Sequence, residues 1–459
     1  MPAKPPPLSM AIISPSATRL DLMRVIWSLA WPAIMSFGLE SLVGLIDALM
    51  VGRLGATAVA GVGVGTQILH TVSVLNMALS TGTVALVARH VGANQHAEAE
   101  ATLQQSIYVA LLVGVAIAVP VAIWASPLVA IFQVDAGVRE AGVAFIRAIM
   151  LGVPAMAVFV VIASGLRGAG DMRTPLLIGA LINVVNVAFA YVLIFGKLGL
   201  PALGVRGAAL ASAIAFTVGA LLGLAALLRP SSVLRLHRGR LAPDLAIGRR
   251  ILAVGSPTGL EQLLMQVGFL LYLGIAAHYG TSAIAAYFIG VRILALSFLP
   301  GFGFGVAAST IVGQQLGAGQ PESAARSAWE ANRLAVVLMS GAGILIFVFA
   351  ERIAELFIDD AAVVRDAVSF MHVLAVAQPL MAADSTLGGA LRGAGDTRFP
   401  LITVIVGFYG ARLGCAWVAA QILGLSLFWV WAALLGDYVV RAVLKGWRLS
   451  SGRWQRIQI

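Results

Sequence analysis

Cysteine is almost absent from this chain. Cys415 is the only one in 459 residues, which excludes an intrachain disulfide and any cysteine-based metal centre. Charge is scarce as well: Asp, Glu, Lys and Arg make up 11% of the residues, against roughly 25% in ordinary soluble domains. The six histidines, at positions 70, 90, 96, 237, 278 and 372, are dispersed without the spacing of metal ligands. No phosphate loop of the Walker type occurs, so the chain does not hydrolyse ATP, and any work it does draws on a gradient or on another subunit. No nucleophile–base pair stands out, which argues against a membrane enzyme, and no cofactor is implied. Nor is there the alternating pattern of ten-residue strands that a membrane barrel would show.

What is present in quantity is apolar surface. The chain is 60% hydrophobic, with a mean hydropathy of +0.96. Apolar stretches near the roughly 20 residues that cross a bilayer fall at 25–52, 57–88, 99–124, 138–164, 174–196 and 206–228, then at 247–277, 282–313, 327–350, 364–390, 399–423 and 427–445. In lipid the backbone must satisfy its own hydrogen bonds, so these are read as twelve transmembrane helices.

The twelve divide into two sixes by duplication. The phrase Leu166-Arg-Gly-Ala-Gly-Asp-Met-Arg-Thr-Pro175 returns as Leu391-Arg-Gly-Ala-Gly-Asp-Thr-Arg-Phe-Pro400, an offset of 225 residues. Pro32 and Pro257, Gly55 and Gly280, Gly65 and Gly290, and Pro154 and Pro379 keep the same offset. Six is even, so the second copy enters the membrane from the same side as the first, and the copies are parallel repeats. The expected organisation is a disordered cytoplasmic tail over 1–24, an N-lobe over 25–228, a cytoplasmic linker over 229–246, a C-lobe over 247–446 and a basic cytoplasmic tail over 447–459. The N-terminal segment lacks the pattern of a cleaved signal.

Basic residues set the orientation. They crowd the linker (Arg229, Arg235, Arg238, Arg240, Arg249, Arg250), the even-numbered loops and the C-terminal end (Arg441, Lys445, Arg448, Arg453, Arg456). The odd-numbered loops hold only Arg53, Arg139, Lys197, Arg206, Arg352 and Arg365. Both termini are therefore expected in the cytoplasm. The net charge of +10 is this topology signal, not a nucleic-acid surface, because the basic residues are scattered over many short loops.

The residues richest in chemistry are acids inside apolar helices: Asp47 in the first span, Glu261 in the seventh and Asp384 in the tenth. A charge there costs about 2.5–3.5 kcal/mol even on lenient insertion scales, so each is a functional candidate. Their partners at the repeat offset are Tyr272, Ser36 and Phe159, so the shared scaffold does not require them. Glu40 lies two helical turns before Asp47 on the same face. Arg292 in the eighth span is a candidate to neutralise one of the acids. Asn183 and Asn186 in the fifth span read as interhelical hydrogen-bonding groups that can also reach a cation. Gln262, Ser385 and Thr386 offer further oxygens beside Glu261 and Asp384. Aromatic and methionine side chains such as Tyr287 suit an adaptable cavity. The two repeated Leu-Arg-Gly-Ala-Gly-Asp phrases read as structural or gating hinges.

Over about Trp31 to Arg448 the chain resembles the MATE (multidrug and toxic compound extrusion) family. The matching phrases are Asp47-x-x-x-Val51-Gly52-x-Leu54-Gly55, Pro300-Gly-Phe-Gly through Val312-Gly-Gln-Gln-Leu-Gly-Ala-Gly319, and both Leu-Arg-Gly-Ala-Gly-Asp repeats. The resemblance implies two six-helix lobes in a V around a central cavity. It also implies a secondary active antiporter that exports cationic or lipophilic compounds in exchange for protons or sodium ions by alternating access. Glu261, Asp384 and Asp47 then look like the family's coupling acids, with sodium at Glu261 and Asp384 as the alternative to protons. Glu40, Asn186, Tyr287, Arg292 and Gln262 are assigned to the substrate cavity. Ala190 stands where the DinF-like branch has an aspartate, which favours the NorM-like branch. A monomer in the inner membrane is expected, in contact with lipid and small-molecule substrates. The alternative is an exporter of a lipid-linked compound or metabolite within the wider flippase superfamily.

Overall fold

The structure, a computed structural model, describes residues 18–236 and 244–459. Most of the expected N-terminal tail and the middle of the linker, including His237, Arg238 and Arg240, lie outside the described residues.

The described chain is helical, without strands. Its first half contains α1 (Arg19–Gly52), α2 (Ala56–Gly92), α3 (His96–Ile123), α4 (Ala125–Ala130), α5 (Ala136–Met150), α6 (Val153–Gly168), α7 (Arg173–Phe195) and α8 (Val205–Leu228). The second half contains α9 (Leu245–Ala277), α10 (Thr281–Gly317), α11 (Pro321–Glu355), α12 (Ala361–Gly393), α13 (Arg398–Val404), α14 (Gly414–Trp417) and α15 (Leu427–Ser450). Two π-helical stretches, Ile405–Leu413 and Val418–Ile422, flank α14 and carry the eleventh span from α13 onward.

Among the described residues eleven helices or helical runs are long and apolar enough to cross a bilayer, and α5 with α6, bent by 51° at its break, makes a twelfth when the pair is counted as one span. Large apolar side chains face outward in stripes. On α3, Leu111, Val115, Val119 and Ile123 are all exposed at a spacing of four residues. Outward apolar bands on this scale mark a surface that contacts lipid.

The chain forms two compact units, one of residues 35–256 (the N unit) and one of residues 1–34 with 257–459 (the C unit). The division falls inside α1 and α9, two residues after Pro32 and immediately before Pro257. Each proline removes one ladder hydrogen bond within its helix. The expected lobe boundaries at 25 and 247 are thus displaced by about ten residues, because the first turns of α1 pack into the C unit. There Trp27 meets Phe304 with ring centroids 6.1 Å apart.

The repeated phrase is the same helix stop in both copies. The amide of Asp171 donates to the Leu166 carbonyl at 2.9 Å, and that of Asp396 to the Leu391 carbonyl at 2.8 Å. Gly170 (φ 93°) and Gly395 (φ 87°) supply the left-handed turn that such a stop demands. The copies then diverge. Asp171 caps α7 by accepting from the amides of Arg173 (3.1 Å) and Thr174 (3.0 Å). Asp396 instead pairs with Arg448 at 2.7 Å.

That ion pair belongs to a folded C-terminus. Residues 447–459, expected as a basic tail, continue α15 to Ser450 and close with a short helical turn at Arg453–Arg456. Trp454 is fully buried and its indole nitrogen donates to the Leu449 carbonyl at 2.7 Å. A buried indole with its N–H satisfied gives this segment a reason to dock.

Candidate functional site

The acids expected to hold a cation in the C-terminal half are already neutralised by side chains. Asp384, on α12, is 3% exposed. One of its oxygens lies 2.5 Å from Lys445 Nζ and the other 2.8 Å from an Arg441 terminal nitrogen. Glu261, on α9, pairs with Arg392 at 2.8 Å. A third acid, Asp437 on α15, is fully buried, 2.8 Å from Arg412 and 3.9 Å from Arg441. Three carboxylates and four cationic groups thus share one buried cluster.

Local sequence explains how the cluster fits. Asp437, Arg441 and Lys445 are spaced by four on α15, so they stack along one helix face. Glycines make the room. A Cβ at Gly388 would come 3.1 Å from Lys445 Nζ and 3.4 Å from an Arg392 terminal nitrogen. A Cβ at Gly407 would come 2.5 Å from Arg441 Cγ and 2.7 Å from Asp437 Oδ1. Gly407 and Arg412 both sit in the first π-helical stretch, whose wider turn is a common feature of functional and strained positions. The Arg412 guanidinium lies 4.5 Å from the Phe408 ring centroid and 5.3 Å from that of Tyr438, so aromatic faces as well as Asp437 offset its burial.

The N unit presents the opposite electrostatics. Asp47, half-buried on α1, faces Asn186 on α7. With the Asn186 amide oriented by its neighbours, its nitrogen donates to the two Asp47 oxygens at 3.0 and 3.1 Å. The amide oxygen then accepts from Ser212 Oγ, on α8, at 2.9 Å. Three helices therefore contribute one carboxylate, one amide and one hydroxyl, and no cation pairs with them among the described residues. Ala190 packs with Val51, Leu193 and Ala208 in an apolar cluster of the same unit. Nearer the start of α1, Glu40 has Arg167 and His70 as its charged neighbours. Arg167 and Arg392 occupy the same position of the two repeats, and each meets an acid from the first helix of its own half.

A family model described as MatE matches residues 32–192 and 257–418. The chain belongs to the MatE family. Across 95% of its length it is 30% identical to a Thermotoga maritima protein named probable multidrug resistance protein NorM, of which it covers 94%. It is also 28% identical, over 89% of the chain and 91% of the relative, to a Yersinia pseudotuberculosis protein named multidrug resistance protein MdtK. Among solved structures, an outward-facing multidrug resistance MATE transporter of the MOP superfamily superposes with a TM-score of 0.87 at 24% identity, covering 94% of this chain and 97% of that one. A Pyrococcus furiosus MOP superfamily transporter gives the same score and coverage at 23% identity. The shared fold is that of a multi-span membrane transporter.

Within this MatE-family chain, several expected site residues fall elsewhere. Arg292 is exposed and forms no ion pair with any described residue, so it does not neutralise an acid. Arg392, Arg441, Lys445 and Arg412 do so instead. Tyr287, expected in the substrate cavity, is 5% exposed and packed inside the C unit, where its hydroxyl donates to the Phe269 carbonyl at 3.2 Å and its ring stacks on Trp431. Gln262 is part-buried and makes no hydrogen bond to a described residue. The Ser385 and Thr386 hydroxyls, offered as cation ligands, donate to the Ala382 carbonyl of their own helix at 3.1 and 2.7 Å. Asn186 is a partner of Asp47 within the N unit. Missing from the sequence reading were Asp437 and the inward role of Arg441 and Lys445. Their spacing of four is the signal, but both cations also sit among the topology-setting charges of the tail.

Proposed function

We propose that the chain exports cationic or lipophilic organic compounds by alternating access and exchanges them for protons at Asp47. The observation that carries this reading is electrostatic. Of the intramembrane acids Glu40, Asp47, Glu261, Asp384 and Asp437, Asp47 alone has only neutral polar partners. A carboxylate held by an amide can lose or gain a proton, or take an organic cation, without breaking an ion pair. In the C unit the same exchange would first have to separate Asp384 from Lys445 and Arg441. A sodium ion at Glu261 and Asp384 would join a cluster that already holds more cations than carboxylates, where Asp384 gives both oxygens to Lys445 and Arg441 and Glu261 gives one to Arg392, leaving few of the several oxygens a sodium ion needs. The names of the Thermotoga and Yersinia relatives support a multidrug substrate range. The setting is the inner membrane, with both termini in the cytoplasm and the monomer as the working unit.

The test is substrate movement in vesicles carrying the purified protein. An imposed pH difference without sodium should drive a fluorescent organic cation against its gradient, and a protonophore should abolish that movement. Robust transport under a sodium gradient alone, insensitive to the protonophore, would refute proton exchange.

A further inference from the structure

The N unit contains a cavity of about 850 Å³ along the outer face of α5, walled by α4 and the first turns of α8. Its polar lining is Ser126, Arg139, Glu140, Arg147 and Arg206, and Leu151 is among its apolar lining residues. Three arginines against one glutamate leave an excess of positive charge. Arg139 donates to Ser126 Oγ at 3.0 Å, which fixes its head at the cavity wall. Arg147 and Arg206 make no ion pair with any described residue.

These arginines need an explanation on three counts. The beginnings of α5 and α8 follow the third and fifth spans, so they share the membrane face that should be poor in basic residues. Two of the six basic residues found in the odd-numbered loops nevertheless converge here. Arg147 lies three turns into a membrane-spanning run, where an uncompensated cation is disfavoured. Finally, Arg139 and Arg147 have Val364 and His372 as repeat partners, so the duplicated scaffold does not call for them. The opposite face of α5 is conventional core: Phe145, Ile146, Ile149 and Met150 are buried against α2, α3 and α8. The helix is therefore held apolar side inward, with its arginines offered to the cavity.

We infer that this cavity binds the phosphate headgroup of an anionic phospholipid from the leaflet opposite the termini. Guanidinium groups match phosphate oxygens in bidentate geometry. The headgroup supplies the missing negative charge at the depth where Arg147 sits, and the acyl chains continue over exposed apolar side chains. Leu151 is 71% exposed at the mouth and Ile131 72% exposed beside α4. A free phosphate ion would satisfy the arginines but leave that apolar border bare.

Delipidated protein in detergent, offered phosphatidylglycerol, phosphatidylcholine or inorganic phosphate, tests this by native mass spectrometry. The wild type should retain phosphatidylglycerol in preference to phosphatidylcholine, and an excess of inorganic phosphate should not displace it. Arg139→Gln, Arg147→Gln and Arg206→Gln should each weaken retention roughly fivefold, the worth of one basic side chain near an anionic lipid surface. Arg147→Lys, which keeps the charge, should retain more than Arg147→Gln. Arg206→Gln lies at the exposed start of α8 and serves as the arm in which folding is least at risk. Equal retention of the two lipids, displacement by phosphate, or unchanged retention in Arg206→Gln and Arg147→Gln would each overturn the assignment.

Discussion

Asp47→Asn should reduce gradient-driven export to the level of protein-free vesicles while leaving the protein folded. The substitution keeps the shape of the side chain and removes only its capacity to ionise. Asn186 can still donate to the new amide's oxygen while accepting from Ser212, so the contacts among α1, α7 and α8 survive. Asn186→Ala should give a milder phenotype. It leaves the carboxylate in place but removes the amide that holds both oxygens, so transport falls and its pH profile moves while some coupling persists. Export of an organic cation by Asp47→Asn at wild-type rate under a pH gradient would take Asp47 out of the mechanism.

The second large effect concerns stability. Breaking the buried C-unit cluster by removing one member strands the remaining charge in a dry interior, at a cost of about 3–5 kcal/mol. Asp384→Asn leaves Lys445 and Arg441 without their shared carboxylate, and Lys445→Met leaves Asp384 with Arg441 alone. Both should lower the thermal unfolding midpoint of purified protein substantially. The double variant Asp384→Asn/Lys445→Met should lose less than the sum of the singles, because each change removes the partner that the other strands. Arg292→Gln, by contrast, removes an exposed and unpaired charge and serves as the control that should leave the midpoint near wild type. Wild-type midpoints in both single variants would mean the cluster does not hold the unit together. Loss of transport in a destabilised Asp384 or Lys445 variant is then a folding effect first, which separates it from the clean loss expected of Asp47→Asn.

Much of this was legible in the sequence because the duplication repeats physical requirements as well as letters. Gly170 and Gly395 recur because each must turn left-handed to end a helix. The twelve spans recur because each must satisfy its backbone in lipid. What the copies do differently was hidden. The tenth span is one continuous helix, α12, whereas its counterpart breaks between α5 and α6. Hydropathy does not distinguish them, since Pro154 and Pro379 occupy equivalent positions. The π-helical stretches around Arg412 left no pattern in the hydropathy, because a single wider turn only shifts which side chains face inward.

At the site, acids set in apolar sequence are visible as candidates, but their surroundings are not. Asp47 and Asp384 look alike in sequence. One meets an amide and the other meets two cations from α15, Arg441 and Lys445, which lie far along the chain from it. Arg441 and Lys445 read as topology-setting charges because they lie near the C-terminus. Their spacing of four from Asp437 places all three on one face instead.

The most direct test of the account is the count of protons released when purified protein binds an organic cation in weakly buffered detergent solution. Wild type should release protons on binding, Glu261→Gln should still do so, and Asp47→Asn should release none. Proton release that persists in Asp47→Asn and disappears in Glu261→Gln would place the exchange in the C unit and contradict the account.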